Sequence, residues 1–290
     1  TGLFFTRCKT ATDMEKLEKK ISQALEAEQG RFALAFKDVQ TGETMEYHAH
    51  DSFHAASTMK TPVMIELFRQ AAAGKFGMDD SVVVHNQFKS IVDGSSYSLD
   101  STDDSEQDLY RHIGEKRSIR QLLYSMITMS SNLATNILID SVGAANIMSN
   151  MRELGANEIK VLRGVEDQKA FDRGLNNTTT AHDLMLLFDK MAKGDLVSHE
   201  ASNEMMQVLL EQHFNEIIPA HLPATVKVAH KTGSITGVQH DSGIVIMPDG
   251  RKYVLVILSD QLKDVPTAIK TMAGVSKMVY DYMLQKAPQQ

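Results

Sequence analysis

A serine and a lysine three residues apart, Ser57 and Lys60 in "FHAASTMKTPV" (53–63), form the first pair in the chain that could do chemistry. On a helix, residues at that spacing share a face, so the amine can reach the hydroxyl. A serine needs a neighbouring base to become a nucleophile, and a lysine of lowered pKa can serve. A helix N-terminus at this point would add free N–H groups and a dipole that favour the negative charge of acyl transfer. Pro62 fits a helix beginning close to Ser57, because few N–H groups in a first turn have partners. By itself S-x-x-K is common, and a capping serine beside a solvated lysine is the plainer reading.

Two further stretches change that balance. "ITMSSN" (127–132) ends a helix-like segment with Ser130 and Asn132, polar groups where apolar periodicity predicts burial. "HKTGS" (230–234) lies in a strand-like segment, where Lys231 and Thr232 precede Gly233, a residue that lets another backbone approach closely. Together the segments offer a serine nucleophile, two lysines, a second hydroxyl and an amide. That set suits attack on a carbonyl that stands beside a carboxylate.

With these three elements the chain resembles the penicillin-recognising serine hydrolases, and among them the class A β-lactamases. S-x-x-K is Ser57-Thr58-Met59-Lys60, S-x-N is Ser130-Ser131-Asn132, and K-T-G is Lys231-Thr232-Gly233, in the family's order. Their separations, 73 and then 101 residues, suit the class A scaffold. "SIRQLLYSMITMSSNLATNILI", including Asn136, is also similar to class A sequence, and the resemblance runs over roughly residues 15–285. It implies that Ser57 attacks while Lys60 takes or relays its proton. Ser130, helped by Lys231, would pass a proton to the leaving nitrogen. Lys231, Thr232 and Ser234 would hold the substrate carboxylate, and Asn132 the side-chain amide. The N–H groups of Ser57 and Ser234 would form the oxyanion hole.

The pattern departs from the family in two places. Ser131 stands where the family has a mainly structural aspartate. The loop that should supply the deacylating carboxylate, E-x-x-L-N in the family, corresponds to "VLRGVEDQKAFDRGLNNTTTAHDL" (161–184). Alignment from both sides sets Glu166 at the family's glutamate, with Asp167 and Asp172 as rivals. Ala170 falls where the partner asparagine belongs, the loop is about two residues short, and Asn177 replaces the aspartate that pins the loop through an arginine. "GLNN" is a second possible source of an asparagine.

The elements that must position these groups follow from periodicity. Residues 11–30 read as an amphipathic helix, "RFALAFKDV" and "TMEYHAH" as a hairpin, and 63–73, 118–129, 132–143, 144–154 and 180–194 as helices. After about residue 224, three strand-like runs and a closing helix (265–285) complete the chain, with "PDGR" turning between the last two strands. The expected fold is α/β plus all-α: an antiparallel sheet flanked by N- and C-terminal helices, with an inserted helical domain. The expected division is 11–58 with 205–290 as the α/β domain and 59–204 as the helical one, the site lying in the cleft between them. The polar stretch 93–108 reads as a solvated loop. The 17 methionines read as filling for the helical core.

At 290 residues, 42% hydrophobic and 23% charged, the chain can bury a sizeable core. A net charge of −7 without a basic run argues against nucleic acid or an anionic membrane as partner, and no apolar run approaches a membrane span. The single cysteine, Cys8, excludes an internal disulfide framework. "HAHDSFH" (48–54) superficially offers metal ligands, with His48 and His50 on one strand face, but no third ligand is evident, so no metal or other cofactor is expected. His230, His240 and Asp241, near the K-T-G run, read as ordinary strand residues in preference to a rim of the cleft. Tyr110 reads as either a cleft wall or a core residue. The resemblance implies a monomeric β-lactamase involved in antibiotic resistance, or a D,D-peptidase, esterase or penicillin-binding sensor, acting on a β-lactam or cell-wall peptide. A periplasmic or secreted location follows from that function only, since "TGLFFTRCKT" lacks a signal-peptide layout.

Overall fold

The computed structural model describes residues 12–286, so Cys8 and the opening segment lie outside it. Helix α1 (Asp13–Glu26) begins with a capping box in which Thr12 and Glu15 satisfy each other's backbone N–H. Strands β1 (Arg31–Asp38) and β2 (Thr44–Tyr47) follow, then the short β3 (Phe53–His54). A 3₁₀ turn, Ala56–Met59, runs directly into α2 (Lys60–Ala72). The short strands β4 (Ser81–Val83), β5 (Phe88–Lys89), β6 (Ser96–Tyr97) and β7 (Lys116–Ser118) form two ribbons, β4 with β7 and β5 with β6. Next come α3 (Ile119–Thr128), α4 (Asn132–Val142), α5 (Ala144–Glu153) and the short α6 (Gln168–Asp172). Strand β8 (Thr178–Thr179) pairs with β3. Helices α7 (Ala181–Lys193) and α8 (His199–Leu210) precede β9 (Lys227–Ile235), β10 (Val238–Ile246), β11 (Lys252–Asp260) and α9 (Val265–Gln285).

The main sheet is antiparallel in the order β2-β1-β11-β10-β9, which leaves β9, the K-T-G strand, at an edge. Alternation along β1 and β11 divides the apolar residues between two cores. Leu34, Phe36, Leu255 and Ile257 face α1 and α9, while Ala33, Ala35, Val254 and Val256 face the remaining helices. The alanines on that second face let α7 lie close, with Leu184, Leu187, Phe188 and Met191 in the same core. Met64, Met126, Met151, Met185, Met205 and Met206 are buried there too, as expected of core filling.

The antiparallel sheet with helices on both faces agrees with the expected fold. One boundary differs. Strand β2 ends at Tyr47, and His48, at φ 47°, turns the chain, so His48 and His50 do not share a strand face. Helix α8 also lies where no helix was expected.

The edge position of β9 requires close packing on β10. A Cβ on Gly243 would stand 2.4 Å from the Ala229 carbonyl oxygen and 2.5 Å from the His230 Cβ. Gly243→Ala should therefore cost about 1–3 kcal/mol or more by overpacking. A lower urea midpoint at unchanged slope checks this; an unaltered midpoint would show that β9 yields at no cost.

Candidate active site

The residues singled out in the sequence meet at one cleft of about 970 Å³, whose lining includes Ser57, Ser130, Asn132, Glu166, Thr232 and Ser234. Ser57 sits in the 3₁₀ turn, so its N–H belongs to a first turn whose donors lack helical partners. Pro62 follows within the first turn of α2, where its missing N–H costs little. Gly233 brings β9 against this turn: a Cβ there would lie 3.2 Å from the Ser57 nitrogen and 3.1 Å from Thr58 Cγ2.

Lys60 and Lys231 are fully buried. The Lys60 amine donates to the Ser130 carbonyl (2.7 Å), to Ser130 Oγ (3.2 Å) and to Asn132 Oδ1 (3.0 Å). Lys231 Nζ donates to the Thr232 carbonyl (2.9 Å) and to the same Ser130 Oγ (3.2 Å). Two amine donors occupy the lone pairs of one hydroxyl, which leaves the Ser130 proton available to the cleft. Burial pushes the Lys60 pKa down to about 7, against the pull of the Asp104 and Glu166 carboxylates. Burial, and then the charge of Lys60, holds Lys231 well below the usual lysine range. Ser57 Oγ hydrogen-bonds to none of the described residues, so the tie from Lys60 runs to Ser130 and Asn132.

Ser130 takes φ 57° between α3 and α4, and Ser131 caps α4 by accepting the Ala134 N–H at 3.2 Å. Ser131 thus supplies the cap where the family has aspartate. A carboxylate still serves this helix end, and it comes from the stretch read as a solvated loop. Asp104, only 4% exposed, accepts the N–H of Asn132 (2.9 Å) and of Leu133 (3.0 Å) and the hydroxyl of Tyr110 (2.9 Å). Asp103 and Ser105 line the cleft beside it. Composition alone could not reveal this, because a polar run looks the same whether water or a helix N-terminus solvates it.

Glu166 adopts φ 61° and accepts the Asn132 amide at 2.9 Å. Burial raises its pKa, partly opposed by that hydrogen bond. Its loop is held from α4. Asn136 accepts the Val165 N–H (2.7 Å) and donates to the Val165 carbonyl (3.1 Å), an approach open because residue 164 is glycine. The rival Asp167 is committed to Ser90 Oγ (2.8 Å) and the N–H groups of Ile91 (2.9 Å) and Ala170 (3.1 Å). Asp172 is exposed and pairs with Gln168. Ala170 is fully buried, so no amide stands at that point. Within "GLNN", Asn177 lines the cleft, but its amide is committed to the chain itself. Asn177 accepts from Leu162 N–H (2.8 Å) and donates to the Arg163 carbonyl (3.0 Å), and Asn176 Oδ1 accepts from the Arg163 guanidinium (3.2 Å).

His240 lines the cleft fully buried, donating to the His54 carbonyl (2.8 Å) and accepting the Ser259 N–H (3.1 Å), and burial lowers its pKa to about 4. His230 is paired with Asp241 at 2.8 Å. Ser234 accepts from Gln239 at 2.8 Å.

The model of the family described as "Beta-lactamase enzyme family" matches residues 16–283. A Bacteroides uniformis protein named beta-lactamase is 25% identical over 94% of this chain and 93% of its own length. Beta-lactamase VEB-1 of Pseudomonas aeruginosa is 21% identical over 98% of this chain and 96% of its own. The solved beta-lactamase of Sphaerobacter thermophilus is 25% identical, covers 96% of this chain and 100% of that one, and superposes with a TM-score of 0.81. A structure of PBP-A, also 25% identical, covers 93% and 97% at a TM-score of 0.80.

Asp104→Asn should loosen the start of α4 by about 1.5–3 kcal/mol, the worth of hydrogen bonds to a charged group. It should also shift the acid limb of kcat/KM to lower pH, since removing the carboxylate removes a charge that raises the Lys60 pKa. A pH profile that does not move would reduce Asp104 to a helix cap.

Proposed function

The chain belongs to the beta-lactamase enzyme family and is a serine β-lactamase, and we propose that its acyl-enzyme forms on Ser57. Ser57 Oγ attacks the carbonyl of the strained cyclic amide as its proton passes toward Lys60. The N–H groups of Ser57 and Ser234 hold the oxyanion, donors worth about 10²–10³ in rate each. Ser130 gives its proton to the departing ring nitrogen and is recharged from Lys60 or Lys231. Thr232, Ser234 and Lys231 bind the substrate carboxylate, and Asn132 binds the side-chain amide. Glu166 then activates a water that hydrolyses the ester and frees Ser57.

The observation that carries this reading is Ser130 Oγ at 3.2 Å from two buried amines in the cleft that Ser57 lines. A burial-lowered lysine can be a neutral base near pH 7, which an exposed lysine cannot. The proposed division of the chain, 59–204 against the rest, sets this cleft at the seam. Export to a periplasmic or extracellular space, and a role in antibiotic resistance, belong to the same proposal. No helix among the described residues is long and apolar enough to cross a membrane.

A second reading, acylation without turnover, is favoured by Ala170 in place of an asparagine beside the water. A solved PBP-A variant, 26% identical at a TM-score of 0.79, is an acyl-enzyme complex with penicillin G. Intact mass alongside turnover of a chromogenic cephalosporin separates the two. The β-lactamase gives sustained hydrolysis, and a stoichiometric burst with a lasting adduct marks the alternative.

Ser57→Ala should abolish the adduct, and an adduct that survives it assigns the nucleophile elsewhere. Glu166→Gln should trap the acyl-enzyme and lower kcat by about 10²–10⁴; undiminished turnover would remove Glu166 from the mechanism.

The pH dependence follows from Lys60. Because its pKa is lowered to about 7, the neutral base is present above that value and lost below it. The quantity kcat/KM should therefore rise through about pH 7 and level off. A profile flat from pH 5 to 8 would exclude Lys60 as the group that takes the proton.

A further inference from the structure

One histidine of "HAHDSFH", His50, acquires in the fold the partner ligands that the sequence withheld. The β2–β3 turn brings His50 against His182 in the first turn of α7, the two rings stacked with centroids 4.3 Å apart. Glu46, at the end of β2, contacts both: its carboxylate lies 2.9 Å from His182 Nδ1 and 3.6 Å from His50 Nε2. Ligand atoms of the three residues all lie within 4.8 Å of one another. The residues come from segments more than 100 positions apart, and the backbone joins them through His182 N–H to the Ala49 carbonyl at 2.9 Å.

We propose that Glu46, His50 and His182 form a surface site for a divalent transition cation, zinc foremost, with Glu158 orienting His50 and water completing the coordination. Two imidazoles and a carboxylate are a zinc donor set, and imidazole excludes the hard cations that prefer oxygen alone. Around zinc, donor atoms bound at about 2.0–2.2 Å stand roughly 3.3 Å apart. Ligand atoms up to 4.8 Å apart need to close by up to about 1.5 Å, a shift open to the exposed side chains of His50 and Glu46. Glu158 accepts His50 Nδ1 at 2.9 Å, which fixes the tautomer and leaves Nε2 directed at Glu46 and the cation. His48 is not part of the site, its nearest carboxylate being Asp51 at 3.9 Å.

The site is a clamp. It would join the turn after β2 to α7, next to the β3–β8 pair that leads on one side to the Ser57 turn and on the other to the Glu166 loop. A cation bound only by the folded chain stabilises it by mass action. Protons compete for the same nitrogens.

The test uses zinc chloride and cobalt(II) chloride with the full chain freed of any histidine tag. Calorimetry at pH 7.5 should give about one equivalent of zinc, with Tm rising by about 4–8 °C at a hundredfold excess over Kd. Cobalt should develop the visible bands of a low-coordinate N/O site. Glu46→Gln and the pair His50→Gln with His182→Gln should each remove that equivalent, and Glu158→Gln should weaken binding about 10–100-fold. Absence of uptake by the unaltered protein at submillimolar zinc overturns the proposal. So does one equivalent retained in either variant, and Glu46→Gln decides alone if the histidine pair does not fold.

Discussion

Two amines are kept out of water within reach of one hydroxyl, and the rest of the cleft depends on that constraint. Lys60 and Lys231 are each 0% exposed. A buried ammonium costs several kcal/mol unless it is solvated by the protein or gives up its proton. Both routes are used here. Carbonyl oxygens of Ser130 and Thr232 and the amide oxygen of Asn132 replace water, and the remaining cost appears as lowered pKa values. Because the two cations repel, protonation of one opposes protonation of the other, and Ser130 Oγ lies between them, where the proposed proton transfer needs it.

Holding those oxygens requires backbone that helices and strands do not provide. Ala56, just before Ser57, has φ 45°, Ser130 has 57° and Glu166 has 61°, so half of the six described non-glycine residues at positive φ stand at this cleft. Such conformations cost of order 1–3 kcal/mol each and persist only where the surroundings over-determine them. The surroundings are visible in each case. His54 Nδ1 accepts the Ala56 N–H, the α3–α4 junction carries Ser131 and Asp104 as caps, and Asn136 holds Val165 from both sides. The strain is thus carried by helix termini, whose unpaired N–H groups were going to need partners in any event.

How legible this was depends on how local each device is. The three motifs could be read because their residues are near neighbours in sequence, and strands β9 to β11 because apolar runs mark them directly. Asp104 was not legible: it acts on α4 from a loop 28 residues away, and nothing in "DSTDDSEQD" separates it from its exposed neighbours. The Glu46, His50 and His182 cluster escaped for the same reason, since α7 supplies its third member. Helix α8 was missed, and β2 was read too far because aromatic and β-forming residues continue past Tyr47 while the backbone turns at His48. Residue type carries propensity, but it does not say where a hydrogen-bonded edge ends.

The loop bearing Glu166 turns that distinction into a mechanistic one. Its polar side chains are spent on its own shape: Asp167 on α6 and the Ser90 turn, Asn177 on the backbone of Leu162 and Arg163, Arg163 on the Leu175 carbonyl. With Ala170 turned into the protein, no second amide from that position shares the task of orienting a water. In the proposed mechanism deacylation then rests on one carboxylate whose direction is set by Asn132 and by the bracket between Asn136 and Val165. Binding of the substrate's amide by Asn132 would compete for the same contact that holds Glu166 at 2.9 Å. Release of that contact on acylation frees a carboxylate of raised pKa, a stronger base than an unperturbed one, at the step that needs it. Turnover and trapping are therefore two outcomes of one geometry, separated by how firmly residue 166 stays in place once Asn132 has turned to the substrate.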